Sequence, residues 1–283
     1  MYSDEYNRLF KAAYGEIERH LREKGWLDKA YWYWIDEPHT DSYPWVRQGL
    51  ELLKWACPDI RRLLTLLCDP APVPYLYGAV DLWVPSTHTE TDDIPDGAMM
   101  GYDPERAHAR QALGETVWWY TCNIPMGPYT NFFIDNPAIN YRIHFWLMDK
   151  YEVDGFLYWA TMSWPRNPWE NPMGTDYPQT AVYGNGAGWF LYPARRTLPP
   201  EHAFELPITS IRFESLRDGI EDREYLLLLK TIAETQGRSA DRAREVRSAA
   251  LDEVAQSMTC YEQAPVSLIA QRYRLAKQIE KGL

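Results

Sequence analysis

The sequence predicts an α/β fold of parallel strands, followed by a helical C-terminal segment. Three observations carry that expectation. From Ser3 to Thr161, segments with apolar residues at helical spacing alternate with short aromatic and β-branched runs, the pattern of strands joined by right-handed crossovers. One such run, Tyr31-Trp32-Tyr33-Trp34-Ile35, stops at Asp36-Glu37-Pro38 and reads as a buried strand carrying acid groups to its C-terminal mouth. From Ser210 onward only helical spacing is found.

Taken in order, Tyr6, Leu9, Phe10, Ala13, Tyr14, Ile17 and Leu21 line one face of a helix, with Ser3 or Asp4 as cap and Gly25 as stop. The aromatic strand follows. Pro38 disfavours the helical region for Glu37, so the chain leaves the strand extended or turning, and two successive side chains can converge on one pocket at such a bend. Asp41 or Ser42 caps a second helix that buries Val46, Leu50, Leu53 and Cys57 and ends at Pro58. Arg61 to Leu67 and Val80 to Val84 read as strands, the latter with Asp81 embedded and Pro85 closing it, and the Pro-rich stretch from Asp69 to Pro74 is a stiff connector. Residues 85–103, with His88, Glu90, Asp92 and Asp93, read as a solvated loop. Pro104 to Leu113 is a helix, Thr116 to Thr121 a strand, Asn136 to Lys150 a helix and Gly155 to Thr161 a strand. Residues 162–200 are rich in Pro, Asn and Gly, carry Trp164, Trp169 and Tyr177, and leave room for a short strand at Gly188 to Tyr192. Helices are expected over Ile220 to Glu234, Ala240 to Ser257 and Pro265 to Lys281.

Composition narrows the function. A net charge of -11 with no dense Lys/Arg block argues against a nucleic-acid surface or an anionic membrane. No apolar run approaches the length that spans a bilayer. Thirteen Trp and twenty Tyr suit the flat apolar faces of sugar rings as well as they suit a bulky core. Cys57, Cys68, Cys122 and Cys260 are scattered, with no zinc-ligand spacing, and read as free, mostly buried thiols. No metal or cofactor is expected. The charged amphipathic N-terminal segment reads as cytoplasmic, and as secreted if the sequence lacks its leader.

Asp36-Glu37 admits two readings at this stage: an acidic turn before a helix, or a site at a strand mouth, where α/β folds place their ligands. In the second reading the pair suits glycosidic cleavage, in which one group protonates the leaving oxygen and another stabilises charge at the anomeric carbon. Adjacent residues do not straddle a sugar as separated carboxylates do. They fit the substrate-assisted route better: a 2-acetamido oxygen is the nucleophile, one carboxylate orients it, and the neighbour serves as acid and then base. Trp83, Tyr120, Trp159 and Trp164 are candidates for a sugar platform, with Asn123 and His39 as polar contacts, although alternate residues of barrel strands also fill the interior. Arg212, Arg217, Asp218, Glu221 and Asp222 read as structural ion pairs at a helix start.

Several ordered blocks resemble one family. These are Gly25-Trp26-Leu27-Asp28 leading into Asp36-Glu37-Pro38, Gly114 to Cys122, Asp154 to Trp159, and Ser210 to Asp222. Together they resemble glycoside hydrolase family 123, whose activity is β-N-acetylgalactosaminidase and whose catalytic domain is a TIM-type (β/α)8 barrel. The resemblance implies that Asp36 positions the 2-acetamido group and Glu37 is the general acid/base. It also implies an incomplete barrel, because only one helix precedes the Asp-Glu strand and about five parallel strands are found where a closed barrel has eight. The expected organisation is a barrel-type catalytic region at 1–209 with C-terminal helices at 210–283. Two further readings stay open, a carbohydrate-binding or catalytically degenerate fragment and a half-barrel that self-associates to cover open edges.

Overall fold

The Ser3 hydroxyl accepts the N–H of Tyr6 at 3.1 Å and so opens helix α1 (Asp4–Glu23). Gly25, at φ +67°, turns the chain out of that helix in a conformation glycine adopts without strain. The computed structural model describes residues 3–66, 73–87, 102–165, 167–172, 184–193, 207–235 and 237–282. His88, Glu90, Asp92, Asp93, Cys68 and Tyr177 lie outside the described residues. The chain divides into two compact units, Met1–Tyr120 with Asp154–Leu157, and Thr121–Val153 with Tyr158–Leu283.

The first unit carries the sheet. Its strands are β1 (Tyr31–Tyr33), β2 (Arg61–Leu66), β3 (Leu82–Pro85), β4 (Thr116–Thr121) and β5 (Gly155–Tyr158), in the spatial order β1-β2-β3-β4-β5. The strands run parallel, with Tyr33 opposite Leu63, Leu63 and Thr65 opposite Leu82 and Val84, and Leu82 and Trp83 opposite Thr116 and Val117. Sequential order without reversal distinguishes this mixed α/β fold from a doubly wound sheet and is consistent with part of a barrel wall.

Register and the two-residue period sort the side chains into two faces. One face holds Trp32, Arg62, Leu64, Trp83, Val117 and Trp119, and the other holds Tyr31, Tyr33, Leu63, Thr65, Leu82, Val84, Trp118 and Tyr120. Helices cover the first face. Trp32 packs on Tyr14 with ring centroids 4.7 Å apart, and Trp34, just beyond β1, meets Phe10 edge-on at 6.4 Å. Helix α2 (Tyr43–Ala56) buries Val46, Leu50 and Leu53, and its Gly49 lets the Trp34 indole lie against the helix backbone. Helix α3 (Pro104–Gln111), capped by Asp103, brings Arg110 to Glu115 and over the Tyr77 ring at 3.8 Å. Strand β1 was expected to be buried, yet Tyr31 and Tyr33 are 39% and 44% exposed. It is an edge strand among the described residues.

The second unit is helical: α4 (Ile139–Lys150), α5 (Ile211–Ala233), α6 (Arg238–Val254) and α7 (Pro265–Glu280). Helix α5 begins nine residues before the expected Ile220, because Ser210 accepts the N–H of Phe213 at 3.2 Å and caps it there. The Arg/Asp cluster therefore sits within the helix. Arg212, 2% exposed, donates to the carbonyls of Phe132, Gly186 and Trp189 at 2.6 to 2.7 Å. Asp222, fully buried, accepts from Arg142 at 2.8 Å and from the Trp146 indole at 3.2 Å and forms an ion pair with Arg272 at 3.3 Å, tying α4, α5 and α7 together. Gly188 to Tyr192 forms isolated bridges, Trp189 with Met162 and Tyr192 with Ile208, rather than a strand. Cys57 and Cys122 are buried free thiols, whereas Cys260 is exposed beyond α6. Among the described residues no helix is long and apolar enough to cross a membrane.

Removing one partner of a buried charged network leaves the others desolvated and unpaired, at a cost of about 3–5 kcal/mol. Asp222→Ala is expected to lose stability of that order in denaturant unfolding, and a loss below about 1 kcal/mol would show that solvent reaches Arg142 once the carboxylate is gone.

Candidate active site

Strand β1 stops at Tyr33, and Asp36 and Glu37 stand just past its C-terminal end. The exit is a turn. Glu37 has φ +42°, in the left-handed region that costs an L-residue about 1–3 kcal/mol and persists only where its surroundings enforce it. Here the N–H of Glu37 donates to the hydroxyl of Thr65 at 3.0 Å. Thr65, on the neighbouring strand and 1% exposed, also donates to Asp36 Oδ1 at 2.8 Å. The Tyr33 hydroxyl makes a short hydrogen bond to that same Oδ1 and lies 3.0 Å from Thr65 Oγ1. Asp36 is exposed, and its Oδ2 has no hydrogen-bond partner among the described residues.

Glu37 is dressed differently. Its side chain is half-buried, and Oε1 accepts the Tyr120 hydroxyl at 2.5 Å. Tyr120 comes from the C-terminal end of β4 and is 2% exposed. Burial pushes the Glu37 carboxyl above its ordinary value, the Tyr120 bond pulls it back, and the neighbouring Asp36 charge adds to the rise. Burial and the bond to Asp36 likewise push the Tyr33 phenol up. Two carboxylates thus stand side by side, one exposed and anchored through a single oxygen, the other half-buried and inclined to hold a proton. Among the described residues no group of three or more His, Cys, Asp or Glu side chains is arranged to hold a metal ion.

The family model described as "Glycoside hydrolase 123, catalytic domain" matches residues 1–229. The chain belongs to glycoside hydrolase family 123. A solved family 123 glycoside hydrolase from Clostridium perfringens, studied for glycolipid glycan hydrolysis, is similar in fold with a TM-score of 0.61 at 18% identity. That match covers 99% of this chain and 45% of the Clostridium perfringens chain. No curated protein matches the sequence.

The other expected site residues of this family 123 member fall in several places. His39 is exposed two residues beyond Glu37, its carbonyl accepting the Ser42 hydroxyl at 2.6 Å. Trp83 faces α3, on the side of the sheet opposite Thr65 and Tyr120; it is 4% exposed and its indole donates to Glu115 at 2.5 Å. The two-residue period puts it there. In the second unit, Asn123 is half-buried and accepts the Cys122 thiol at 2.9 Å, Trp164 donates to the Leu191 carbonyl at 2.6 Å, and Trp159 lies against Gly188. The structure therefore brings Tyr120 to the acid pair within the first unit. Sequence reasoning missed Tyr33 and Thr65. The only signal for Thr65 was one polar residue in the apolar run Leu63-Leu64-Thr65-Leu66.

The Tyr120 bond favours the ionised form of Glu37, so its removal raises the pKa of that carboxyl further. Tyr120→Phe is expected to move the Glu37 titration, followed by carboxyl carbon NMR, to higher pH; an unmoved midpoint would show that the bond does not govern the group.

Proposed function

We propose that this chain cleaves β-linked N-acetylgalactosaminides with retention, by a substrate-assisted mechanism on the wall of an incomplete TIM-type barrel. The observation that carries the reading is the unequal dressing of two consecutive carboxylates at a strand mouth. Family membership and the resemblance of the surrounding blocks support it.

In this reading the free Oδ2 of Asp36 accepts the N–H of the 2-acetamido group. That orients the amide oxygen toward the anomeric carbon and stabilises the positive charge that the amide acquires. The amide oxygen supplies the electron pair that displaces the aglycone, and Glu37 gives its proton to the departing oxygen. An oxazolinium-like intermediate results. Glu37, now ionised and held by Tyr120, takes a proton from water as the water attacks the anomeric carbon, and two inversions give retention. The raised Glu37 pKa suits the first step, because an acid must carry its proton at working pH. No metal or cofactor is required by this route. His39 is assigned to sugar binding, whereas the burial of Trp83 assigns it to packing.

Glu37→Gln keeps the shape and removes the transferable proton. Turnover of an aryl β-N-acetylgalactosaminide should fall by about 10²- to 10⁴-fold. The melting temperature should hold or rise, because a half-buried charge is removed. An aryl β-galactoside lacking the acetamido group should react poorly with the intact protein. Equal rates on the two substrates would exclude substrate assistance.

The exposure of Tyr31 and Tyr33 on an edge strand favours a second reading, a catalytically degenerate, carbohydrate-binding barrel fragment that self-associates over that face. Light scattering would then give a mass above one chain, reduced to one chain by Tyr31→Arg, and calorimetry would show sugar binding without turnover. A monomer that hydrolyses substrate disposes of this reading.

A further inference from the structure

We infer that Thr65 is a positioning residue that sets the two carboxylates in a fixed relation through a single hydroxyl, with Tyr33 as its auxiliary. The inference rests on the roles proposed for Asp36 and Glu37.

A threonine hydroxyl has one hydrogen and two lone pairs. The Thr65 hydrogen goes to Asp36 Oδ1 at 2.8 Å, and the oxygen accepts the N–H of Glu37 at 3.0 Å. One atom therefore fixes both the carboxylate of the first residue and the backbone of the second. Tyr33 donates to the same Oδ1, so both donors hold that one oxygen and neither engages Oδ2. The backbone bond matters as much. Glu37 occupies φ +42°, and the Thr65 hydroxyl is the partner of its N–H in that left-handed turn. If the turn relaxes, the Glu37 carboxyl swings away from Tyr120 on β4, the group that holds it from the other side. Thr65 itself is 1% exposed on the central part of the sheet, so its rotamer is locked by packing and its reach to substrate is nil. It acts through its two partners.

Three variants read this out with an aryl β-N-acetylgalactosaminide: Thr65→Val, which keeps the shape and deletes the hydroxyl, Thr65→Ser, which keeps the hydroxyl, and Tyr33→Phe. Misplacing reacting groups by about 1 Å costs about 10²-fold in rate. Thr65→Val should lower kcat by about that factor while KM changes by less than about threefold, and Thr65→Ser should recover to within about tenfold of the parent. Tyr33→Phe should cost about tenfold, one of two donors being lost.

The decisive measurement repeats Thr65→Val in an Asp36→Ala background. Thr65 acts through Asp36 and through the Glu37 turn, so the background lacking Asp36 keeps only the second share, and the loss there should shrink to about tenfold. A full 10²-fold loss in both backgrounds, or a kcat unchanged by Thr65→Val in the parent, overturns the inference while leaving the proposed reaction standing. If Thr65→Val does not fold, the Tyr33→Phe and Thr65→Ser pair decides: a serine variant as slow as Asp36→Ala, or a phenylalanine variant as fast as the parent, overturns it. A parent chain with no turnover, or one indifferent to Glu37→Gln, overturns the functional reading and this inference with it.

Discussion

The period of two along a strand governs this chain more than any single contact. Parallel pairing at Tyr33–Leu63, Thr65–Val84 and Trp83–Val117 fixes which side chains share a face, and a slip of one residue would exchange the two sets entirely. In the observed register the indoles of Trp32, Trp83 and Trp119 lie on the helix-covered face. The hydroxyls of Tyr33, Thr65 and Tyr120 fall on the other. The three indoles packed under the helices are thereby separated from the hydroxyls that converge beyond the strand ends.

Convergence of two adjacent acids needs something more, because neighbours in an extended chain point apart. The chain meets this need by leaving β1 through a left-handed residue, Glu37, and by satisfying its N–H with Thr65 from the next strand. The turn is strained by local rules and enforced by a partner 28 positions away in sequence. Gly49 illustrates the same dependence on distant partners on the covered face. A methyl group there would collide with the Trp34 indole, which comes from the segment between β1 and the acid pair.

What could be read from the sequence follows from this division between local and distant causes. Helix α1 with its Ser3 cap and strand β4 from Thr116 to Thr121 are products of short-range pattern and were legible. So was the position of Asp36 and Glu37 at a strand end. The start of α5 lies nine residues before the expected Ile220: the Ser210 cap sets it, and the buried apolar residues of the helix, Leu226 and Leu229, come only later. The exposure of Tyr31 and Tyr33 was not legible, since an edge strand differs from a central one only in its neighbours. Thr65 and Tyr33 escaped for a like reason: Thr65 gains its meaning only when register sets it beside the turn after β1. Nothing in the run Leu63 to Leu66 announces that partnership.

Glu37 shows how the fold and the proposed chemistry bear on each other. Burial and the Asp36 charge raise its folded pKa above the value it has in the unfolded chain, against the opposing pull of Tyr120. A raised carboxyl contributes stability that is fully present below its unfolded pKa and is lost as pH rises through the folded value. Protonated Glu37 is therefore the form the fold prefers, and the ionised form is held at a cost. Tyr120 offsets part of that cost, because its hydroxyl donates to Oε1 and stabilises the charge that remains once the proton has left. An acid that must later act as a base needs both tendencies in one place: surroundings that hold the proton on, and one donor that makes its loss bearable.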